Sequence, residues 1–203
     1  MRVLLLIVLV VPLVVWLEPA PEPSADAVLA TLPVKGRAPR TGYSREQFGP
    51  AWADVDRNGC DTRNDILARD LTQVTFKGAR NCVVLSGTLH DPYTGKTIHF
   101  VRGVKTSSAV QIDHVVALAA AWRTGAANWT SARRLAYAND PTVLLAVDGP
   151  QNEAKGDDDA SEWQPPTWKC RYVAKQVAIK TKYSLWVTVA EHHAMQARLA
   201  NCS

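Results

Sequence analysis

The adjacent residues Asp113 and His114 carry the side chains that a hydrolytic metal site needs. Neutral imidazole is the natural proton acceptor near pH 7, and a carboxylate is a hard oxygen ligand for magnesium. On an extended backbone, neighbouring side chains point to opposite sides, so a ligand and a base can approach a phosphodiester from different directions. Because most Asp-His pairs are structural, this dipeptide needs further support.

A second polar group follows at Asn152 and Lys155. The amide oxygen of Asn152 is a neutral hard ligand, suited to a cation that already has a carboxylate and a phosphate. Lys155 lies three residues further on, on the same face if the segment is helical, and is a candidate contact for a phosphate. The structural alternative is a helix cap followed by the acidic loop 157–159. We prefer the functional interpretation because Asp113 and His114 lie upstream.

Taken together, these groups and Asn139 occur in an order that resembles the HNH nuclease motif, which consists of two strands and a helix around one metal. The chain is more closely similar to exported HNH endonuclease family proteins of actinobacteria, which are related to the nuclease part of GmrSD-type restriction enzymes. The similar stretches are GCDTRNDIL, LHDPYTGK, IDHVVALAAAW, NDPTVLLAV and NEAKGDDDASEWQPP, with the spaced Cys170 and Cys202.

The resemblance implies a secreted endonuclease that hydrolyses phosphodiester bonds of DNA, with RNA as a second substrate class. His114 would be the general base, and Asp113 and Asn152 would bind one divalent metal. Asn139 would correspond to the middle residue of the motif and would orient the base. Asn rather than His at the last motif position favours Mg²⁺ and makes tight zinc binding less favourable.

The polar segment 54–65 offers two further candidates. Asp54–Gly59 resembles the first half of a calcium loop, with Asp65 at the twelfth position, but Asp61 stands where a hydrophobic residue is expected. We therefore favour a tight loop held by a disulfide, with calcium binding as the alternative. Arg63 is a candidate phosphate clamp, and a buried structural salt bridge is an equal alternative for this residue.

The remaining sequence predicts the elements that must position these groups. β-Branched runs and a turn predict a hairpin from 83–89 and 97–102, and strands are also expected at 110–116 and 144–147. Helical patterns cover 117–137, with an interruption at Gly125, and then 169–183 and 189–200, whereas 66–74 fits either a helix or a strand. The predicted class is α+β, with small antiparallel strands and several helices around the ββα-metal (HNH) core that the resemblance implies.

The N-terminus predicts export. Residues 1–27 have the pattern of a signal peptide: Arg2, the apolar run Val3–Leu17, and a cleavage site at Ala25-Asp26-Ala27. The run is short for a membrane span, which needs about 20 residues, and Pro12 interrupts it. Residues 28–42 are rich in Pro, Ala and Arg and predict a flexible linker, which leaves 43–203 as the nuclease domain. We expect a secreted monomer without stable membrane association after cleavage.

The four cysteines predict two disulfides, because an even number in an exported chain favours pairing. Of the three connectivities, we favour Cys60–Cys82 and Cys170–Cys202, since each closes a modest local loop. A zinc site does not fit, because no two cysteines have C-x2-4-C spacing. The net charge is +4, and removal of residues 1–27, which contain one basic and three acidic residues, raises it to +6. This is a mild bias toward polyanions.

Two non-enzymatic functions stay open at this stage. One is a catalytically inactive secreted domain that binds nucleic acid or other anions. The other is a calcium-stabilised adhesion domain centred on 54–65. The complete set of Asp113, His114 and Asn152 favours the enzyme.

Overall fold

The computed structural model describes residues 24–202, which form a mixed α+β fold with two small antiparallel sheets. The helices are α1 (Ala25–Leu29), α2 (Thr62–Asp70), α3 (Leu118–Arg123), α4 (Ser131–Ala138), α5 (Gly149–Lys155), α6 (Lys169–Tyr183) and α7 (Val189–Leu199). The strands are β1 (Leu71–Lys77), β2 (Val83–His90), β3 (Thr97–Val101), β4 (Val110–His114) and β5 (Leu144–Asp148). Most of the expected signal segment, residues 1–23, lies outside the described residues.

The larger sheet has the order β1-β2-β3 and contains the predicted hairpin of β2 and β3. The segment that fitted either a helix or a strand contains both, since α2 ends at Asp70 and β1 begins at Leu71. A side chain at Gly87 would place its Cβ 2.8 Å from Leu71 Cδ2 and 3.2 Å from the Thr72 carbonyl oxygen. Glycine therefore allows β1 and β2 to approach closely.

The smaller sheet and the helix after it form one continuous unit. β4 pairs antiparallel with β5, so that His114 lies opposite Leu144 and Val110 opposite Asp148. Helix α5 follows at once, because Asp148 accepts a hydrogen bond from the Gln151 backbone N–H and Pro150 occupies the first turn. Residues 115–143, which contain α3 and α4, connect the two strands, and the chain then runs from β5 directly into α5.

The two hydrophobic cores lie on either side of this unit. Helices α1, α3, α4, α6 and α7 bury one cluster, which includes Trp122, Tyr137 and Tyr172. The second cluster lies between α2, the larger sheet and the inner faces of β4 and β5, and it includes Phe100 and Ile112. Burial on both sides fixes which face of β4 each residue occupies.

The expectation of a flexible linker over 28–42 is wrong. Helix α1 packs against α6 and α7, and Leu29 and Leu32 are buried in the first core cluster. Val34 forms a parallel bridge with Val187, and Arg37 pairs with Asp159 and Glu162. A proline-rich composition indicated a linker, but apolar residues within the segment bury enough surface to order it. The proposed Ala25–Ala27 cleavage site lies within α1, and the folded part of the chain begins before residue 43.

The structure has both favoured disulfides. Cys60 is bonded to Cys82, which ties the start of α2 to the start of β2, and Cys170 is bonded to Cys202, which ties α6 to the end of α7. These two bonds use all four cysteines of the sequence. In the part of the chain that the structure describes, no helix is both long enough and apolar enough to cross a bilayer.

Replacement of Thr188 by Ala should destabilise the protein by about 1 kcal/mol. Thr188 accepts a hydrogen bond from the Glu191 backbone N–H, and Glu191 accepts one from the Thr188 backbone N–H, which together form a capping box at the start of α7. Urea denaturation without reductant measures the change. Thr188→Ser keeps the hydroxyl and is the control. A loss as large in Ser as in Ala would show that the methyl group matters, not the cap.

Candidate active site

His114 occupies the last position of β4 and is held on several sides. Its Nε2 lies 2.9 Å from the carbonyl oxygen of Ala138, the last residue of α4. The imidazole is nearly parallel to the rings of Trp52 and Tyr137, with centroid distances of 6.2 and 6.4 Å. The side chain is 8% exposed. The ring is therefore fixed in orientation but keeps an accessible edge.

The Ala138 contact determines which nitrogen carries the proton. A carbonyl oxygen only accepts, so Nε2 must donate, and in the neutral ring Nδ1 is then a bare acceptor. No other described residue forms a hydrogen bond with Nδ1. Burial lowers the pKa of His114 to about 4, although the Ala138 hydrogen bond and the charge of Asp113 act in the opposite direction. His114 is thus neutral at pH 7 and can accept a proton at Nδ1.

Asp113 points to the other side of β4, into a buried polar cluster. Lys155 Nζ donates to both carboxylate oxygens, at 2.6 Å to Oδ1 and 2.8 Å to Oδ2, and the Tyr93 hydroxyl donates to Oδ2 at 2.6 Å. Lys155 also donates to the His114 carbonyl oxygen at 2.8 Å and is 0% exposed. The expected phosphate contact of Lys155 is therefore wrong for this structure, because the ammonium faces inward and is fully used by Asp113 and the backbone.

Tyr93 reaches this cluster because the hairpin turn is anchored to the smaller sheet. In the turn between β2 and β3, Asp91 Oδ2 accepts from the backbone N–H and the hydroxyl of Thr94. Its Oδ1 accepts from the Asp148 backbone N–H at 2.9 Å. The buried Asp91 thus links the hairpin turn to the end of β5. Sequence reasoning missed Tyr93, although the turn DPYTG was itself recognisable.

Asn152 lies in the middle of α5 and is oriented by one hydrogen bond. Its Nδ2 donates to Gln111 Oε1 at 2.8 Å, and Gln111 Nε2 in turn donates to Glu153 at 2.7 Å. Among the described residues, no donor contacts Asn152 Oδ1. The amide is thus held with its nitrogen toward β4 and its oxygen available.

His114, Asp113 and Asn152 border the same cavity, which has a volume of about 310 Å³. We call this the polar cavity, and its wall also includes Arg40, Arg45 and Asp157. The structure therefore brings together the three residues at the centre of the sequence argument, from both β4 and α5.

The side chains at the polar cavity have donor atoms that fit a hard divalent cation. An ionised carboxylate has about four lone-pair positions, and Asp113 uses three, so one stays available on Oδ1. The amide oxygen of Asn152, which has no donor among the described residues, would be a second oxygen ligand. Mg²⁺ binds through one or two carboxylates and keeps several waters, so two protein oxygens suffice. Within residues 24–202, no three His, Cys, Asp or Glu side chains converge as in a structural zinc site.

Asn139 and His114 border a second cavity, of about 330 Å³, next to the first. We call it the aromatic cavity because Phe48, Pro50 and Trp52 form part of its wall. Asn139 makes no hydrogen bond to His114. Its Nδ2 donates to the Leu135 carbonyl oxygen at 3.0 Å, which closes the end of α4 next to the Ala138 carbonyl, while its buried Oδ1 has no partner within the described residues.

Arg45, which sequence reasoning missed, lies on the wall common to both cavities, together with His114 and Leu118. It is exposed and pairs with no carboxylate in the described part of the chain. Its charge is close enough to contribute to the lowered pKa of His114. Arg63 borders neither cavity, and its guanidinium lies over the Phe100 ring instead. Within residues 24–202 Arg63 forms no salt bridge, so the structural alternative is not found there, and its contact with phosphate stays a prediction.

Comparison with known proteins places these residues in a family context. The model of the family described as GmrSD restriction endonucleases, C-terminal domain, matches residues 61–198, which include Asp113, His114, Asn139 and Asn152. The chain is 38% identical over 197 residues to an uncharacterized secreted protein of Arthroderma benhamiae, and the match covers 91% of this chain and 92% of that protein. No solved structure matches.

The relative bears on two further expectations. It is described as secreted, and two disulfides in the present chain are consistent with an oxidising, extracellular location. It comes from a fungus, so it does not support the expected actinobacterial origin.

Proposed function

This chain belongs to the family of the GmrSD restriction endonuclease C-terminal domain, and from that premise we propose that it is a secreted, metal-dependent endonuclease of the HNH type. DNA is the proposed substrate, with RNA as a second class. One observation carries the proposal: His114, Asp113 and Asn152 border one cavity on two antiparallel strands that lead directly into a helix. Two paired strands followed by a helix resemble the ββα-metal unit of HNH nucleases, and this resemblance supports the proposal.

His114 is the proposed general base. Its Nδ1 would take a proton from the water that attacks the phosphorus atom, while Nε2–H stays bonded to the Ala138 carbonyl oxygen. That hydrogen bond, together with the negative charge of Asp113, would stabilise the imidazolium that forms. Asn139 is a positioning residue, because it holds the end of α4 where the Ala138 carbonyl must lie.

The other residues of the proposed site bind the cation, orient its carboxylate ligand or contact the phosphate. A divalent cation bound by the free oxygens of Asp113 and Asn152 would supply positive charge for the phosphate and leaving oxygens. Lys155 and Tyr93 hold the Asp113 carboxylate in one orientation from inside the protein. Arg45 offers an unpaired guanidinium to the phosphate at the mouth of the cavity.

Plasmid cleavage tests this proposal. The secreted protein is incubated with supercoiled DNA in magnesium and, separately, in excess EDTA. We expect nicked and then linear DNA in magnesium and unchanged plasmid in EDTA. No cleavage with magnesium or manganese would refute the endonuclease.

One observation favours a second candidate function. Lys155 neutralises Asp113 at 2.6 Å, and this reduces the attraction of the carboxylate for a cation. A domain that only binds nucleic acid is consistent with such a pair. In the plasmid assay, this candidate predicts retarded plasmid on a gel with and without magnesium, and no cleavage in either.

Asn152→Ala should raise the magnesium concentration that gives half-maximal cleavage by at least about 10-fold, because loss of an outer-shell partner alone costs about 10- to 100-fold in metal affinity and Asn152 is proposed as a direct ligand. The variant lacks one of the two proposed protein oxygens but keeps His114 and Asp113. Magnesium titrations of the initial cleavage rate measure the shift. Asn152→Asp keeps an oxygen at this position and should need far less magnesium than Asn152→Ala. Equal magnesium requirements for wild type and Asn152→Ala would remove Asn152 from the metal site.

A further inference from the structure

We propose that the aromatic cavity binds one unpaired nucleobase next to the phosphate that faces His114. This inference rests on the proposed function, and it names unpaired regions of nucleic acid as the substrate class. The cavity has about 330 Å³ of space and shares His114, Arg45 and Leu118 with the polar cavity. A nucleotide with its phosphate at the shared wall would therefore have its base on the aromatic side.

Trp52 supplies the stacking surface. It is half-buried, borders the aromatic cavity, and lies within 18° of parallel to the His114 ring. Its φ angle is 58°, a left-handed conformation that is uncommon for a bulky side chain. The surrounding structure thus holds the indole in place at a backbone cost, a pattern that is concentrated at ligand sites. Every base has a π-face, so such a platform binds bases without sequence selection.

Asn139 also borders this cavity, and its amide oxygen lacks a donor within the described residues. It is 1% exposed, and its Oδ1 has no hydrogen-bond donor among residues 24–202. A buried acceptor without a partner costs free energy, and an N–H group of a base that enters the cavity would remove that cost. Asn139 Nδ2 already donates to the Leu135 carbonyl oxygen, so only Oδ1 remains for a hydrogen bond with a base.

Arg45 makes the cavity selective for a nucleotide over an apolar peptide side chain. Its unpaired positive charge stands on the shared wall, where an apolar residue of a protein partner gains nothing from it. A nucleotide matches all three features, because it joins a flat aromatic ring with N–H donors to a phosphate. In duplex DNA the base is stacked and paired, so it must leave the helix to enter the cavity.

Binding of two single-stranded ten-mers in EDTA tests the inference without any need for cleavage. One is oligothymidylate, and the other has the same backbone with abasic tetrahydrofuran residues throughout. Both have equal phosphates, so the ratio of their Kd values isolates the contribution of the bases. We expect the wild-type protein to bind oligothymidylate roughly 5- to 150-fold more tightly than the abasic strand, the range that stacking on one aromatic ring gives.

Two substitutions of Trp52 identify the ring as the cause. Trp52→Leu keeps an apolar side chain without a π-face and should bring the ratio close to one. Trp52→Phe keeps a ring and should retain most of the ratio. Circular dichroism checks that both variants fold, and any effect of Trp52 on His114 applies to both strands and cancels in the ratio.

The outcomes separate this inference from the proposed function. A wild-type ratio near one, or a ratio that Trp52→Leu leaves unchanged, overturns the base site even if plasmid is cleaved. A large ratio that depends on the Trp52 ring supports the base site even if no plasmid cleavage occurs, in which case only the enzymatic proposal fails.

Discussion

His114→Ala should lower the rate of plasmid cleavage by about 10²- to 10⁴-fold, which is the usual contribution of a positioned general base. The imidazole is neutral, its Nε2–H is held by the Ala138 carbonyl, and Nδ1 is the bare acceptor. Alanine removes the acceptor without changing Asp113 or Asn152. Binding of DNA in EDTA should therefore persist. Single-turnover cleavage at saturating magnesium measures the chemical step, and retardation of DNA on a gel measures binding.

The matched control for this variant is His193→Ala. His193 is exposed on α7 and borders neither the polar nor the aromatic cavity. This variant should cleave at the wild-type rate. Retention of more than a tenth of the wild-type rate by His114→Ala would mean that another group takes the proton from water.

Lys155→Met should reduce the free energy of unfolding by about 3–5 kcal/mol, because it leaves the buried Asp113 carboxylate without its cation. Methionine has a similar length and fills the space but cannot donate to Asp113 or to the His114 carbonyl oxygen. Urea denaturation without reductant measures the loss. The size of the effect follows from burial, since a surface ion pair contributes at most about 1 kcal/mol.

A double variant shows whether the uncompensated charge is the cause. Asp113→Asn combined with Lys155→Met removes both charges and should recover more than half of the lost stability. The double variant should show no detectable cleavage, because it lacks the proposed carboxylate ligand Asp113. If the free energy of unfolding of Lys155→Met lies within about 1 kcal/mol of the wild-type value, the buried ion pair does not stabilise the site.

Some of the fold could be predicted from local pattern. The hairpin, α6 and α7 follow from β-branched runs and from helical periodicity that agrees with burial on one face. Cys60–Cys82 and Cys170–Cys202 followed from loop length. The sequence did not show where α2 ends and β1 begins. Ile66 and Leu67 continue the apolar pattern of a strand, although they belong to a helix capped by Asp61.

The site itself was predictable only where the chemistry is local. Asp113 and His114 are adjacent, and Asn152 follows in the short helix after the paired strand, so their meeting depends only on β4, β5 and α5. Lys155 was placed wrongly because α5 has only seven residues and begins with Gly-Pro, and such a segment has no periodicity that shows which face is buried. Its orientation depends on Asp113, whose carboxylate also accepts a hydrogen bond from Tyr93 in the turn between β2 and β3.

Arg45 and Trp52, which sequence reasoning missed as it did Tyr93, belong to a segment without regular strands. Their position next to His114 arises from long-range packing: Phe48 is buried against Trp122 and Tyr137 and brings the segment to the end of β4. The composition of residues 28–42 wrongly indicated a flexible linker for a related reason. Proline content suggested flexibility, while the order comes from distant partners such as Val187 and Asp159.

The location of manganese in a crystal soaked with Mn²⁺ tests most directly whether Asp113 and Asn152 share one cation beside His114. Anomalous scattering identifies the metal independently of any assumed chemistry. We expect one site in the polar cavity, about 2 Å from Oδ1 of both residues, with Lys155 still bonded to Asp113. Manganese only in the 54–65 loop, or none within reach of Asp113, would contradict the account.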